Sequence, residues 1–87
     1  MANVFIPPPL QLLCEGVRSI ELPGNTVGEL ILALENRFPG LAAKLSIDGE
    51  LKPGLAVTVD NDVSGLGTAQ RVSDTSEVHF LPAIGGG

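Results

Sequence analysis

Residues 24–40, GNTVGELILALENRFPG, constrain this chain more than any other stretch. Thr26 and Glu29 have the S/T-x-x-E spacing of a capping box, in which a hydroxyl and a carboxylate satisfy backbone N–H groups at a helix start. Val27, Leu30, Ile31, Leu34 and Phe38 then recur at helical spacing and form one apolar stripe. Pro39-Gly40 ends the helix, since proline cannot continue it and glycine accepts the turn that follows. One amphipathic helix must cover an apolar surface, and the rest of the chain has to provide it.

Short alternating runs on both sides of the helix do so. NVFI (3–6) is β-rich and stops at Pro7-Pro8-Pro9. In VRSIEL (17–22), Ile20 and Leu22 share one face while Ser19 and Glu21 share the other. The two runs pair as a hairpin through the segment holding Cys14 and Gly16. LAAKL (41–45) gives a further helical turn. LAVTVDN (55–61) alternates Leu55, Val57 and Val59 against Ala56, Thr58 and Asp60. SEVHFL (76–81) sets Val78 and Phe80 opposite His79 and Leu81. The order β-β-α-β-β predicts an α+β domain with the helix packed across one face of a four- to five-stranded sheet. Eighty-seven residues are one domain's worth of chain. The reading places that domain at 1–82 and a flexible tail at 83–87.

Composition excludes several functions. Ten acidic against five basic residues give a net charge of −5, the wrong sign for neutralising phosphates. With three Phe and no Trp or Tyr there is no stacking platform for single strands. The single cysteine rules out an internal disulfide. MANVFIPPP has neither a basic n-region nor a long apolar stretch, so the expected location is cytoplasmic.

Local motifs with chemical potential fall to plainer readings. Asp60-Asn61-Asp62-Val63-Ser64-Gly65 starts like a calcium loop, but its twelfth position is Arg71 rather than a bidentate Glu. It reads as a polar turn, and no metal is expected. Gly65-Leu66-Gly67 lacks the third glycine and the βαβ setting of a dinucleotide fingerprint. Cys14 as a reactive thiol needs a depressed pKa, and only Arg18 is near in sequence, so it reads as a buried residue. His79, the only histidine, has no second His or Cys as co-ligand and reads as solvated or hydrogen-bonded. The proline triplet reads as the end of an edge strand and a stiff loop rather than a docking helix. No nucleophile–base pair or paired carboxylates converge, so no catalytic machinery of the chain's own is expected.

The sequence ends EVHFLPAIGGG, and Gly85, Gly86 and Gly87 build neither helix nor strand. Glycine lacks Cβ, so such a tail threads a channel too narrow for other residues and leaves its carboxylate open to attack. Ala83 to Gly87 span about 16–18 Å when extended.

This ending, of the form apolar-Pro-Pro/Ala-apolar-x-Gly-Gly, resembles that of the ubiquitin-like sulfur carriers. They include the molybdopterin synthase small subunit, the thiamin-pathway carrier and the carriers of protein-bound sulfur for cysteine biosynthesis. GNTVGELILALENRFPGL, VTVDNDV and the SDTSEV turn fall where that family has its helix, its third-strand turn and the turn before its last strand. The chain departs at Gly85, where the family usually has a non-glycine residue, which loosens the tail.

The resemblance implies a β-grasp fold and a mechanism. An adenylyltransferase related to ubiquitin-activating enzymes uses ATP and magnesium to adenylate the terminal carboxylate, and sulfur from a donor displaces AMP. The resulting thiocarboxylate serves a downstream biosynthetic enzyme. On this sequence the reactive carboxylate belongs to Gly87, Gly85 and Gly86 thread the partner's active site, and Leu81 with Ile84 forms an apolar docking patch. The chain itself binds no cofactor and is a co-substrate rather than an enzyme. Ala after Pro82 favours the cysteine-type carriers over the molybdopterin synthase small subunit. A ubiquitin-like modifier joined through Gly87 to lysines shares the same activated terminus. An interaction domain with an inert tail is the remaining reading.

Overall fold

A computed structural model describes residues 1–82 of the chain. Helix α1 (Val27–Arg37) starts at the predicted cap, where Thr26 Oγ1 accepts the Glu29 N–H at 3.2 Å. The Glu29 carboxylate reaches one residue further back than a capping box requires, accepting the Asn25 N–H at 2.8 Å. Val27, Leu30, Ile31 and Leu34 are all buried, and Phe38 closes the stripe as the C-cap. Each such side chain contributes about 1.5–3 kcal/mol on leaving water. Glu35 then bridges to the next element by accepting N–H groups of Gly40 and Ala42, the latter opening α2 (Ala42–Leu45).

The surface that α1 covers is a five-stranded sheet of order β2-β1-β7-β5-β6. Its strands are β1 (Ala2–Phe5), β2 (Ser19–Leu22), β5 (Leu55–Val59), β6 (Asp62–Val63) and β7 (Glu77–Pro82). β7 runs parallel to β1 and antiparallel to β5, and the outer pairs are antiparallel. Ala2, Val4, Leu22, Val57, Val78 and Phe80 point into the core with the α1 stripe, joined by Ile6, Cys14, Leu41 and Leu45. A mixed sheet wrapped over one main helix is the β-grasp arrangement, as the resemblance implied.

Three features differ from the sequence reading. β1 is not an edge strand, because it pairs on both sides. The prolines are compatible with that because the strand stops at Phe5, before any proline would have to donate into a ladder. Pro8 instead occupies the first turn of a 3₁₀ helix (Pro8–Cys14), where its fixed φ suits the entry. Finally, β3 (Ser46–Ile47) and β4 (Glu50–Leu51) form a separate small hairpin. Its two-residue turn, Asp48-Gly49, lies at φ 53° and 80°.

Candidate functional site

The predicted reactive end is launched by β7, the middle strand of the sheet. Its register with β1 ends at Phe5↔His79, whereas its pairing with β5 continues through Ala56↔Leu81 to Leu55↔Pro82. The last residues of the strand are thus held from the β5 side. Alternation sends Val78 and Phe80 into the core and His79 and Leu81 to the face that α1 does not cover. Leu81 is 44% exposed. Ile84, Gly85, Gly86 and Gly87 lie outside the described residues, as does the whole expected tail 83–87.

Around Leu81 the open face carries Ala56, Thr58, His79 and Phe5. Phe5 and His79 face each other across the parallel pair with ring centroids 4.1 Å apart and planes 7° from parallel. The imidazole, expected from sequence to be solvated or hydrogen-bonded, is one-third exposed and stacked. His79 Nε2 is 3.9 Å from Glu77 on the same strand. Thr58, cross-strand from both His79 and Val63, is buried by those neighbours. The face's two strand carboxylates, Glu21 and Glu77, flank Asn3 in one row, two residues back along β7 from His79. A gradient results, acidic where β7 begins and uncharged where it ends.

Phe5, stacked on His79, was not among the predicted site residues. The alternation of Asn3 and Phe5 against Val4 and Ile6 places Phe5 on the open face. Leu12 and Leu13 belong to a run from Met1 to Cys14 without one charged side chain. Both are exposed on the 3₁₀ helix that follows β1.

The other candidates do structural work. Cys14 is fully buried, and burial pushes its thiol pKa up, away from the thiolate that reactivity requires. Asp60 and Asn61 form the tight β5–β6 turn at φ 53° and 73°. The Asp60 carboxylate accepts the Glu77 N–H at 2.9 Å, fixing the start of β7. Among the described residues no group of three or more His, Cys, Asp or Glu gathers to hold a metal. Gly67 opens only a three-residue 3₁₀ turn to Ala69, with no βαβ unit around it. Two grooves among the described residues, of about 600 and 560 Å³, are lined by the β5–β6 turn region and by α1 with the second 3₁₀ turn. Neither includes the end of β7. Among the described residues no helix is long and apolar enough to cross a membrane.

The geometry presents an open sheet face beside a strand end, and known proteins share this fold. The sulfur carrier protein CysO of Mycobacterium tuberculosis is 35% identical over 91 residues, covering 98% of this chain and 97% of that protein. A chain of the Amycolatopsis orientalis BexX/CysO complex superposes with a TM-score of 0.88 at 33% identity, covering all of both chains. Small archaeal modifier protein 3 of Haloferax volcanii is 38% identical over 64 residues, 71% of this chain and 70% of that one. The ThiS family model matches residues 13–87, which include the helix, β7 and the terminal glycines. The chain belongs to the ThiS family, among the sulfur carriers.

Proposed function

We propose that this protein is a sulfur carrier of the cysteine type that works through a thiocarboxylate on Gly87. The carrying observation is the end of β7. The central strand delivers the chain past a partly exposed face at Leu81, six residues before the terminal glycine. The near-full-length likeness to CysO supports the cysteine-type assignment.

The chemistry takes two steps. A carboxylate oxygen of Gly87 attacks the α-phosphorus of ATP and pyrophosphate leaves, giving an acyl adenylate. A sulfur nucleophile supplied by a donor then adds to the carbonyl carbon and AMP departs, leaving the thiocarboxylate. The activating adenylyltransferase holds ATP and magnesium, and a downstream enzyme accepts the sulfur. This chain is the co-substrate of both, acts in the cytoplasm and contributes no catalytic residue. Its own parts are the open face with Leu81 and Ile84 for docking, Gly85 and Gly86 for threading, and Gly87 for reaction. Assembly with a partner protein has a precedent in the solved BexX/CysO complex.

Intact-mass analysis after incubation with the activating enzyme, ATP and sulfide tests the proposal. Replacement of one oxygen by sulfur, mapped to Gly87, is the expected result. An unchanged mass against a panel of such activators would overturn it.

The likeness to an archaeal modifier protein favours one second reading, conjugation of Gly87 to lysines of other proteins. Gly87-linked branched peptides in host digests would establish that reading. Free thiocarboxylate without such peptides supports the carrier alone.

A further inference from the structure

His79, the chain's only histidine, stands on the open face of the central strand. β1 places Phe5 beside it and β5 places Thr58 on its other flank. The Phe5 ring covers one side of the imidazole, with centroids 4.1 Å apart and planes 7° from parallel. One-third of the His79 side chain stays in water. Leu81 follows two residues later on the same face, about 7 Å along the strand. An ordinary interface of about 800 Å² per partner is about 30 Å across. A partner centred near Leu81 therefore covers His79 as well.

Imidazole is the side chain whose charge changes between about pH 5 and 8. The charged groups around His79 decide what that change does to docking. On β7 itself, a Glu77 carboxylate oxygen is 3.9 Å from Nε2. On this face β1 contributes Asn3 and Phe5, and β5 contributes Ala56 and Thr58, none of them charged. One strand further out, β2 brings Glu21 opposite Asn3, and β6 brings Val63 opposite Thr58. Asp60, at the end of the β5 pairing, accepts the Glu77 N–H. The three carboxylates Glu21, Asp60 and Glu77 thus lie where β7 begins, and none of these neighbours puts a charge on the Leu81 side.

In the free chain water reaches an imidazolium at this position, and Glu77 is near. A partner over Leu81 removes that water. The Glu77 side chain is 59% exposed, and a surface pairing at 3.9 Å is worth little. Stripping water from a charge without a close partner costs far more. The loss outweighs the pairing, so the covered ring has to be neutral.

We infer that His79 is a proton-dependent docking residue, covered by the activating enzyme in its neutral, Phe5-stacked form and opposed to docking when protonated. The inference rests on the sulfur-carrier reading and on docking at Leu81. The activator is the partner meant, because it is the enzyme that meets the chain with its carboxylate still unmodified. Docking then releases a proton wherever the free chain carries the imidazolium. By linkage, the KM for the carrier rises up to about tenfold for each pH unit on the acid side of the imidazole titration.

The test measures that KM in thiocarboxylate formation, from about pH 5.5 to 8, for the parent, His79→Gln and His79→Phe. Dividing the parent's KM by that of each variant cancels the activator's own titrations. The ratio is expected to climb several-fold on acidification and to level off above neutrality. A ratio independent of pH overturns the inference. One that falls on acidification overturns it too, by showing a partner that prefers the imidazolium. Calorimetric titration of carrier into activator at about pH 6, in buffers of different ionisation heat, gives a second reading on the parent itself. Proton release from the parent and none from His79→Gln is expected, and equal release from both overturns the inference. Melting temperatures within about 2 °C of the parent confirm folding of both variants. A parent that gains no thiocarboxylate at any pH overturns the sulfur-carrier reading itself, whereas a loaded parent with a flat KM ratio overturns only the role of His79.

Discussion

Leu81→Glu separates docking from folding most sharply. Full burial of a leucine side chain is worth about 1.5–3 kcal/mol. Leu81 keeps 44% of its surface in water, so a partner that covers it gains about 1 kcal/mol there. Removing that contact alone, as Leu81→Ala does, lowers loading efficiency about five-fold. Glutamate adds the desolvation of a carboxylate against an apolar partner, about 2 kcal/mol more, so the combined loss is about a hundred-fold. The fold feels little of this, because the side chain points away from α1 and its cross-strand neighbour is the small Ala56. The stability change stays below about 1 kcal/mol, as for other surface sites. The assay is the initial rate of thiocarboxylate formation with subsaturating carrier, ATP and sulfide, with thermal melts in parallel. Parental loading by a folded Leu81→Glu chain would refute the docking argument. A melt lowered by more than about 8 °C would refute the placement of Leu81 outside the core.

Leu34 is fully buried in the α1 stripe, and Leu34→Ala is expected to destabilise by about 3 kcal/mol, read as a lower urea midpoint. Gly28→Ala is expected to give no gain, although alanine in a helix is worth about 1 kcal/mol over glycine. The added Cβ would meet Thr68 O at 3.2 Å, and Thr68 is tied to Gly49 O at 2.8 Å; a clearly raised melting temperature would show that the turn retreats. The N–H groups of Gly40, then Ala42, hold the Glu35 carboxyl below its ordinary pKa. Its stabilisation is therefore complete above the ordinary carboxylate range and disappears as pH falls through the lowered folded value. A stability difference between the parent and Glu35→Gln should be present at neutral pH and shrink on acidification, and a difference independent of pH would contradict it.

Local signals carried much of this fold. The Thr26/Glu29 spacing placed the helix, and period-2 alternation in 55–61 and 76–81 assigned core and open faces correctly, including Leu81. Other features depend on distant partners. Nothing in NVFI announces that β1 pairs in parallel with a strand seventy-odd residues later, so its inner position was hidden and the prolines suggested an edge. The same prolines pre-set a 3₁₀ entry, but their commoner role as strand stops masked it. Asp48-Gly49, flanked by Ile47 and Glu50, is a hairpin signature that strands of two residues made easy to pass over. The Phe5–His79 stack needs the parallel register before it can be seen at all.

Placing the terminal glycines after the central strand has a mechanical consequence. Glu77, Val78 and His79 are paired with β1 on one side, and Val78 and His79 also with β5 on the other. A pull on Gly87 is therefore resisted by the middle of the sheet rather than by an edge. The weak link is the end held from β5, Leu81 and Pro82, and Pro82 has no N–H to contribute. Freeing these two residues would lengthen the reach by about 7 Å, at the expense of about one hydrogen bond and the half-covered face of Leu81. An enzyme whose reaction centre lies within about 17 Å of its surface leaves β7 intact and keeps Leu81 available for docking. One with a deeper channel must peel the strand and give up that contact. Under the proposed function, docking at Leu81 and deep insertion of the tail would thus compete for the same residues, and that competition would set the channel depth a partner can use.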